Sequence, residues 1–355
     1  MEDNTPPDTS NFLDWVEIKN FKSIKDLRLD CKRVNIFIGK PNVGKSNILE
    51  ALGLLGEGVY DKKIYNGSVR YSQFNELFPD SNIKIPIIIQ SNVGHLSIRL
   101  LPYSGFEVEN KYELNIASGT KNLENKAIIN ENGEIINAKI VHSEGEARPL
   151  QVSVKKYDFA SLIMFNNVFS DHLLAPNGPN LFAVVDSLKS LKIEFSKLFR
   201  EQQLDFVLSR AEQSFILQKK EGMYVSQYSF LSIADTFRRF MFYIAAIESN
   251  KNSVLIFEEP EVHSFPPYIH ELAQRMILVD ENQYFVSTHS PYLLHTFIEQ
   301  VANDDLNVFI TYYENYETKV RALTPDELRH ILDFGTDVFF NLDKFTPNAG
   351  HSIPV

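Results

Sequence analysis

The first ordered pattern in the chain is an alternation. Trp15-Val16-Glu17-Ile18-Lys19-Asn20-Phe21 puts apolar side chains at nearly every second position, the period of a half-buried strand. Leu27-Arg28-Leu29-Asp30 reads as its hairpin partner. Val34-Asn35-Ile36-Phe37-Ile38 is more continuously apolar and predicts a strand buried on both faces. Asn47 to Leu55 carries an apolar stripe and predicts a helix. From Ile83 to about Asp158 strand patterns dominate, with Ile85–Ile89, His95–Leu100 and Tyr112–Ile116 as candidates. Ala127–Ile129, Asn130–Gly133 and Glu134–Ile136 spell strand, turn, strand, so an antiparallel layer is expected here. Between about 160 and 222 the period becomes helical: after the breaker Leu174–Asn180, Leu181 to Leu198 and Phe206 to Leu217 predict helices. From 223 onward helices alternate with buried strands, as a parallel sheet requires.

These patterns divide the chain into a loose N-terminus (1–11), a first lobe (12–159), a helical insertion (160–222), a second lobe (223–345) and a tail (346–355). The fold class is α/β, with a mixed or parallel core sheet, an antiparallel β-layer and the helical insertion. Residues 57–82 mix Gly, Asn and Ser with aromatics and predict irregular connections.

Composition narrows the function. A net charge of −11 argues against a wholly basic nucleic-acid binder, although it leaves room for a local basic groove. One cysteine, Cys31, excludes an intrachain disulfide and a cysteine-rich zinc site. The first residues are acidic and proline-bearing, unlike a signal peptide, and apolar runs such as Phe240 to Ile247 are too short to span a bilayer. A soluble cytoplasmic protein is expected, without membrane partners.

Between the buried strand and the helix lies Gly39-Lys40-Pro41-Asn42-Val43-Gly44-Lys45-Ser46, which fits the phosphate-cradling pattern G-x-x-x-x-G-K-[ST]. The glycines let consecutive N–H groups face one anion, and the helix N-terminus adds partial positive charge. Lys45 is expected on the β- and γ-phosphates, the Ser46 hydroxyl on Mg²⁺, and the backbone from Gly39 to Asn47 around the nucleotide. Ser253-Val254-Leu255-Ile256-Phe257-Glu258-Glu259-Pro260-Glu261 reads as a buried strand ending in acids. Glu258 is the metal-side candidate, acting through a water, and Glu259 the candidate general base for the water attacking the γ-phosphate. Gln283 to Pro291 is another strand, ending in Ser287-Thr288-His289. His289 there can bond the γ-phosphate or the attacking water. Ser232, in Leu231-Ser232-Ile233-Ala234-Asp235, reads either as a helix N-cap or as a contact to the γ-phosphate of a second subunit.

Together these pieces resemble the ABC-type ATPase heads of the RecF, SMC and OLD (overcoming-lysogenization-defect) families. Ile18-Lys19-Asn20-Phe21-Lys22-Ser23-Ile24 is similar to the first strand of those heads, Glu258-Glu259-Pro260-Glu261-Val262-His263 to the OLD acidic motif, and Ser287-Thr288-His289-Ser290-Pro291 to its switch histidine. The resemblance spans about Trp15 to Phe340. It implies a P-loop NTPase head that uses ATP and Mg²⁺, with two nucleotides sandwiched between two protomers. Each nucleotide would touch the loop of one protomer and Ser232 of the other. Departures are visible. Ile233-Ala234 replace the signature glycines, the long coiled coil is absent, and Gln73 is the nearest candidate for the metal-binding glutamine loop. No Toprim nuclease domain follows the head in this sequence, so no nuclease is expected. Stand-alone heads of this kind look like the ATPase half of two-gene anti-phage systems, which implies a separately encoded effector.

Two other readings stay open. The phosphate loop also looks like that of a translation-type GTPase, but Asn250-Lys251-Asn252-Ser253 lacks the acid that reads guanine. The altered signature also suits a non-hydrolysing nucleotide-sensing scaffold. DNA is a further candidate partner, through Lys19, Lys22, Lys25, Arg28, Lys32 and Arg33, or through Lys189, Lys192, Lys197 and Arg200.

Overall fold

A computed structural model describes residues 7–56, 68–102, 109–118, 123–141, 153–162, 164–166, 169–334 and 338–346. Parts of the expected loose N-terminus, of the irregular connections at 57–82 and of the tail lie outside these residues.

The predicted opening hairpin forms as β1 (Trp15–Phe21) and β2 (Ile24–Asp30), paired antiparallel. It is followed by β3 (Val34–Ile38), buried at all five positions, and α1 (Lys45–Leu54). The β-rich stretch yields β4 (Ile87–Ser91), β5 (Gly94–Leu100), β6 (Lys111–Ser118), β7 (Leu123–Asn130) and β8 (Ile135–Val141). With the opening hairpin they make one antiparallel sheet in the order β2-β1-β4-β5-β6-β7-β8. Next come β9 (Val154–Tyr157), α2 (Leu181–Ser187) and α3 (Lys189–Lys197).

Residues 205–221 depart from the helical expectation, and 224–229 from the expected buried parallel strands, being exposed and antiparallel. They form β10 (Asp205–Ser209), β11 (Ser214–Glu221) and β12 (Tyr224–Ser229), a three-stranded antiparallel sheet. Along β11 only Phe215 and Leu217 are buried, a spacing of two that serves a strand. The helix predicted over Leu181 to Leu198 is likewise split at Leu188, whose extended backbone (φ −94°, ψ 109°) separates α2 from α3.

The rest of the chain alternates as expected: α4 (Asp235–Ser249), β13 (Ser253–Glu258), α5 (Pro266–Leu278), β14 (Asn282–Ser287), α6 (Pro291–Gln300), β15 (Leu306–Glu314), β16 (Glu317–Ala322) and α7 (Pro325–Phe334). The central sheet runs β16-β15-β3-β14-β13-β9, parallel except for the edge strand β16. Both faces of this sheet are covered, which explains its continuous apolar runs. Ile36, Ile38, Leu255, Phe257, Tyr284 and Val286 point into a core shared with the helices α2 to α6. The alternate residues Phe37, Val254, Ile256 and Phe285 join a second core with α1 and the antiparallel sheet. The central sheet is therefore a rigid middle layer, clamped by apolar packing on both sides.

Candidate functional site

Parallel pairing sets the site. In register, Glu258 stands opposite Ser287, and Ser287 opposite Phe37. The C-terminal ends of β13, β14 and β3 therefore open side by side. From them issue the acidic turn, the histidine turn and the phosphate loop. Ligands of open parallel sheets bind at such strand ends.

The loop is fastened from behind. Gly44 adopts φ 101°, a left-handed conformation that favours glycine, and an added Cβ would meet Thr318 Oγ1 at 2.0 Å. That hydroxyl donates to the Val43 carbonyl at 3.0 Å and lies 2.6 Å from Ser23 Oγ. Ser23 Oγ also accepts from the Asn47 amide at 2.7 Å, so the Asn47 side chain serves the loop's support. A Cβ on Gly39 would meet the Thr311 carbonyl oxygen at 2.2 Å, so the backbone passes too closely there for any side chain. Pro41 and Asn42 are exposed, and exposed Lys40 pairs with Asp343 at 2.7 Å.

Lys45 is buried and folds back on the loop, donating to the carbonyls of Gly39 (2.9 Å) and Lys40 (3.0 Å). Burial lowers its pKa, opposed by the fields of Glu259 and then Glu258. Glu259 begins its turn at φ 44°, a strained conformation for a non-glycine residue, fixed by its N–H donating to the Ser287 carbonyl at 3.0 Å. Its carboxylate lies 3.4 Å from His289 Nε2, and both side chains are more than a third exposed. Burial lowers the His289 pKa, Lys45 lowers it further, and Glu259 opposes both. The net direction favours the uncharged ring. Phe339 lies beside it, with ring centroids 6.3 Å apart.

Glu258 is held differently. Oε1 lies 3.3 Å from Arg70 Nη2, and Oε2 lies 3.6 Å from buried Lys156 Nζ, which also bonds both oxygens of Asp158 at 2.6 and 2.8 Å. Arg70 continues to fully buried Glu50 (2.7 Å), which Lys22 also pairs. Both Glu258 oxygens thus already face cationic side chains.

Two expectations change. Ser232 is not the N-cap of α4, which begins at Asp235 with Ala234 as its cap. It lies in a short 3-10 turn, Phe230–Ser232, exposed and 3.3 Å from Ser229 Oγ. The cap moves because Ile233 is extended and buried, turning the chain before the helix starts. Gln73 lines a cavity of about 320 Å³ with Asn75, Tyr112 and Glu131, and no residue of the phosphate loop or acidic turn shares it.

Ser23, Arg70, Lys156 and Thr318 escape a reading of the sequence, because each acts through a long-range contact that no local pattern marks. The N-terminal cations do not form one free face. Lys22 pairs with Glu50, Arg28 with Glu17 and Arg33 with Asp305, while Lys32 bonds the carbonyls of Asn303 and Leu306.

Comparison with known proteins follows this geometry. Residues 12–160 match a family model described as "AAA ATPase domain", and residues 125–295 one described as "AAA domain, putative AbiEii toxin, Type IV TA system". The crystal structure of the SmcHead bound to the C-winged helix domain of ScpA has a TM-score of 0.50 at 14% identity, over 90% of this chain and 100% of that one. The fold is an SMC head-like α/β fold, with a mixed central sheet beside an antiparallel one. "DNA replication and repair protein RecF" of Lactococcus lactis subsp. cremoris is 32% identical over 92 residues in strain MG1363, 24% of this chain and 26% of that protein, and the strain SK11 protein matches equally. The chain thus spans about a quarter of the length of the curated relatives it matches. The ATPase-domain matches support a P-loop nucleotide-binding ATPase domain in general. Among the described residues, no helix is long and apolar enough to cross a membrane.

Proposed function

We propose that this head hydrolyses ATP with Mg²⁺, and that nucleotide-dependent pairing of two copies controls a separately encoded effector, in bacterial phage defence. The observation that supports the chemistry is the 3.4 Å approach of Glu259 to His289 at the strand ends beside the one that leads into the phosphate loop. Glu259 takes a proton from the attacking water as its oxygen bonds the γ-phosphorus. The bond from that phosphorus to the β–γ bridging oxygen breaks, releasing ADP and phosphate. Neutral His289 orients the water or the γ-phosphate by a hydrogen bond. Lys45 leaves the loop carbonyls for the phosphate oxygens. Ser46 and, through a water, Glu258 would hold Mg²⁺, which neutralises phosphate charge.

Pairing is supported by the exposed Ser232 turn, where a second copy's nucleotide can reach the hydroxyl. The effector and defence parts draw support from two descriptions. The solved SmcHead is bound to a domain of another protein, and one matched model is described with a toxin–antitoxin system. The deciding experiment is ATP turnover by purified protein beside Lys45→Ala and Glu259→Gln. Loss in both variants supports the reading. Unchanged turnover in Glu259→Gln overturns the base assignment, and a strong GTP preference in competition reverses the choice of nucleotide.

A further inference from the structure

Glu261 has no role in the chemistry above, yet it is 9% exposed beside the reacting groups. It stands in the acidic turn, two residues past Glu259. Its Oε1 accepts two bonds from the neighbouring histidine turn: one from Thr288 Oγ1 at 2.7 Å and one from the His289 N–H at 2.8 Å. Thr288 is fully buried; its hydroxyl accepts from the Ser290 N–H at 2.9 Å and its own N–H donates to the Phe37 carbonyl at 3.1 Å. One carboxylate oxygen therefore joins the ends of β13, β14 and β3. The other oxygen, Oε2, is buried without a hydrogen-bond partner. Burial raises the pKa of this carboxyl, opposed by the bonds from Thr288 and His289.

A buried carboxylate with one oxygen unpaired by the chain is an expensive way to hold two turns together. Apolar packing of similar volume commonly holds a fold as well as a buried charge does. What the carboxylate supplies that packing does not is direction. Both of its donors flank the imidazole, so it fixes where the His289 backbone stands relative to Glu259.

We propose that Glu261 is a positioning residue that holds His289 against Glu259 through the Thr288 hydroxyl and the His289 amide. This inference rests on the reading that Glu259 and His289 serve hydrolysis. Four proteins test it: the parent, Glu261→Gln, Glu261→Ala and Thr288→Val, each measured for kcat and KM with ATP and for hydrogen exchange at the His289 amide. Glu261→Ala should lower kcat by about tenfold or more with KM within about twofold, and speed exchange at His289 by about tenfold. Glu261→Gln keeps an acceptor oxygen and should stay within about threefold of the parent in both. Thr288→Val, which spares the amide bond, should lose about threefold in kcat, and it carries the comparison if Glu261→Ala does not fold. The proposal is overturned by unaltered His289 exchange in Glu261→Ala, or in Thr288→Val where it is the substitute. It is equally overturned by Glu261→Gln losing as much kcat as Glu261→Ala. If the parent shows no ATP turnover, the proposed function fails, while exchange at His289 still decides the positioning claim.

Discussion

The phosphate loop and the Ser232 turn are both read from the sequence as phosphate contacts, yet the chain holds them in opposite ways. The loop is fastened by Thr318, Ser23 and Asn47, residues from β16, the β1–β2 turn and α1. Its shape is held by contacts within the chain itself. The Ser232 turn is exposed, and the Ser232 hydroxyl lies 3.3 Å from that of neighbouring Ser229. A preformed cradle stabilises charge without reorganising, which is what fast chemistry requires. An exposed turn without such fastening contributes little to its own chain and gains value only from what docks on it.

That contrast can be broken in order of expected size. Glu259→Gln should lower kcat by about 10²–10³ with ATP affinity retained, measured by steady-state turnover and equilibrium binding. Lys45→Ala should weaken ATP binding by about a hundredfold, read by titration with a fluorescent nucleotide. Gly44→Ala should cost about 2 kcal/mol of stability in chemical denaturation, because the new Cβ strikes Thr318 from a strained backbone. Ser232→Ala should change monomer stability by no more than about 0.5 kcal/mol. Any effect it has on turnover should grow with protein concentration, as a contact made across two copies does. A loss of stability as large as that for Gly44→Ala would end the contrast.

Acidity offers a finer test. The His289 pKa lies below its ordinary value of 6.5, so the ring stays neutral until the pH falls beneath that point. Activity should therefore rise with pH to a plateau, with a midpoint below 6.5, and His289→Ala should abolish that limb. Glu261 works in the other direction. Its folded pKa is raised, so its contribution to stability is fully present below the unfolded carboxylate pKa and lost as pH rises through the folded value. Glu261→Gln should flatten that part of the stability profile in urea titrations at a series of pH values.

Much of this arrangement was legible because local chemistry announced it. The phosphate loop fits a spacing, and β3, β13 and β14 are apolar runs that end in polar groups. The 206–217 stretch misled for a physical reason. Its turn, Arg210-Ala211-Glu212-Gln213, has no glycine, proline or asparagine, and Gln213 itself takes φ 47°. Without a breaker, apolar triplets on either side look like one helical stripe. Ser232 misled because a cap-type residue stands just before a helix, while buried Ile233 moves the true start. The cations around Glu258 come from β9 and from the segment before Phe74, and nothing along the chain marks their convergence.

The position of β14 between β3 and β13 has a last consequence. Two inter-strand spacings, roughly 9.5 Å, separate the strand that leads to the phosphate loop from the strand that ends in the acids. β14 fills that interval and is bonded to both neighbours, so the histidine turn it carries stands between the phosphate loop and the acidic turn. A displacement of β14 would therefore disturb the loop side and the acid side together.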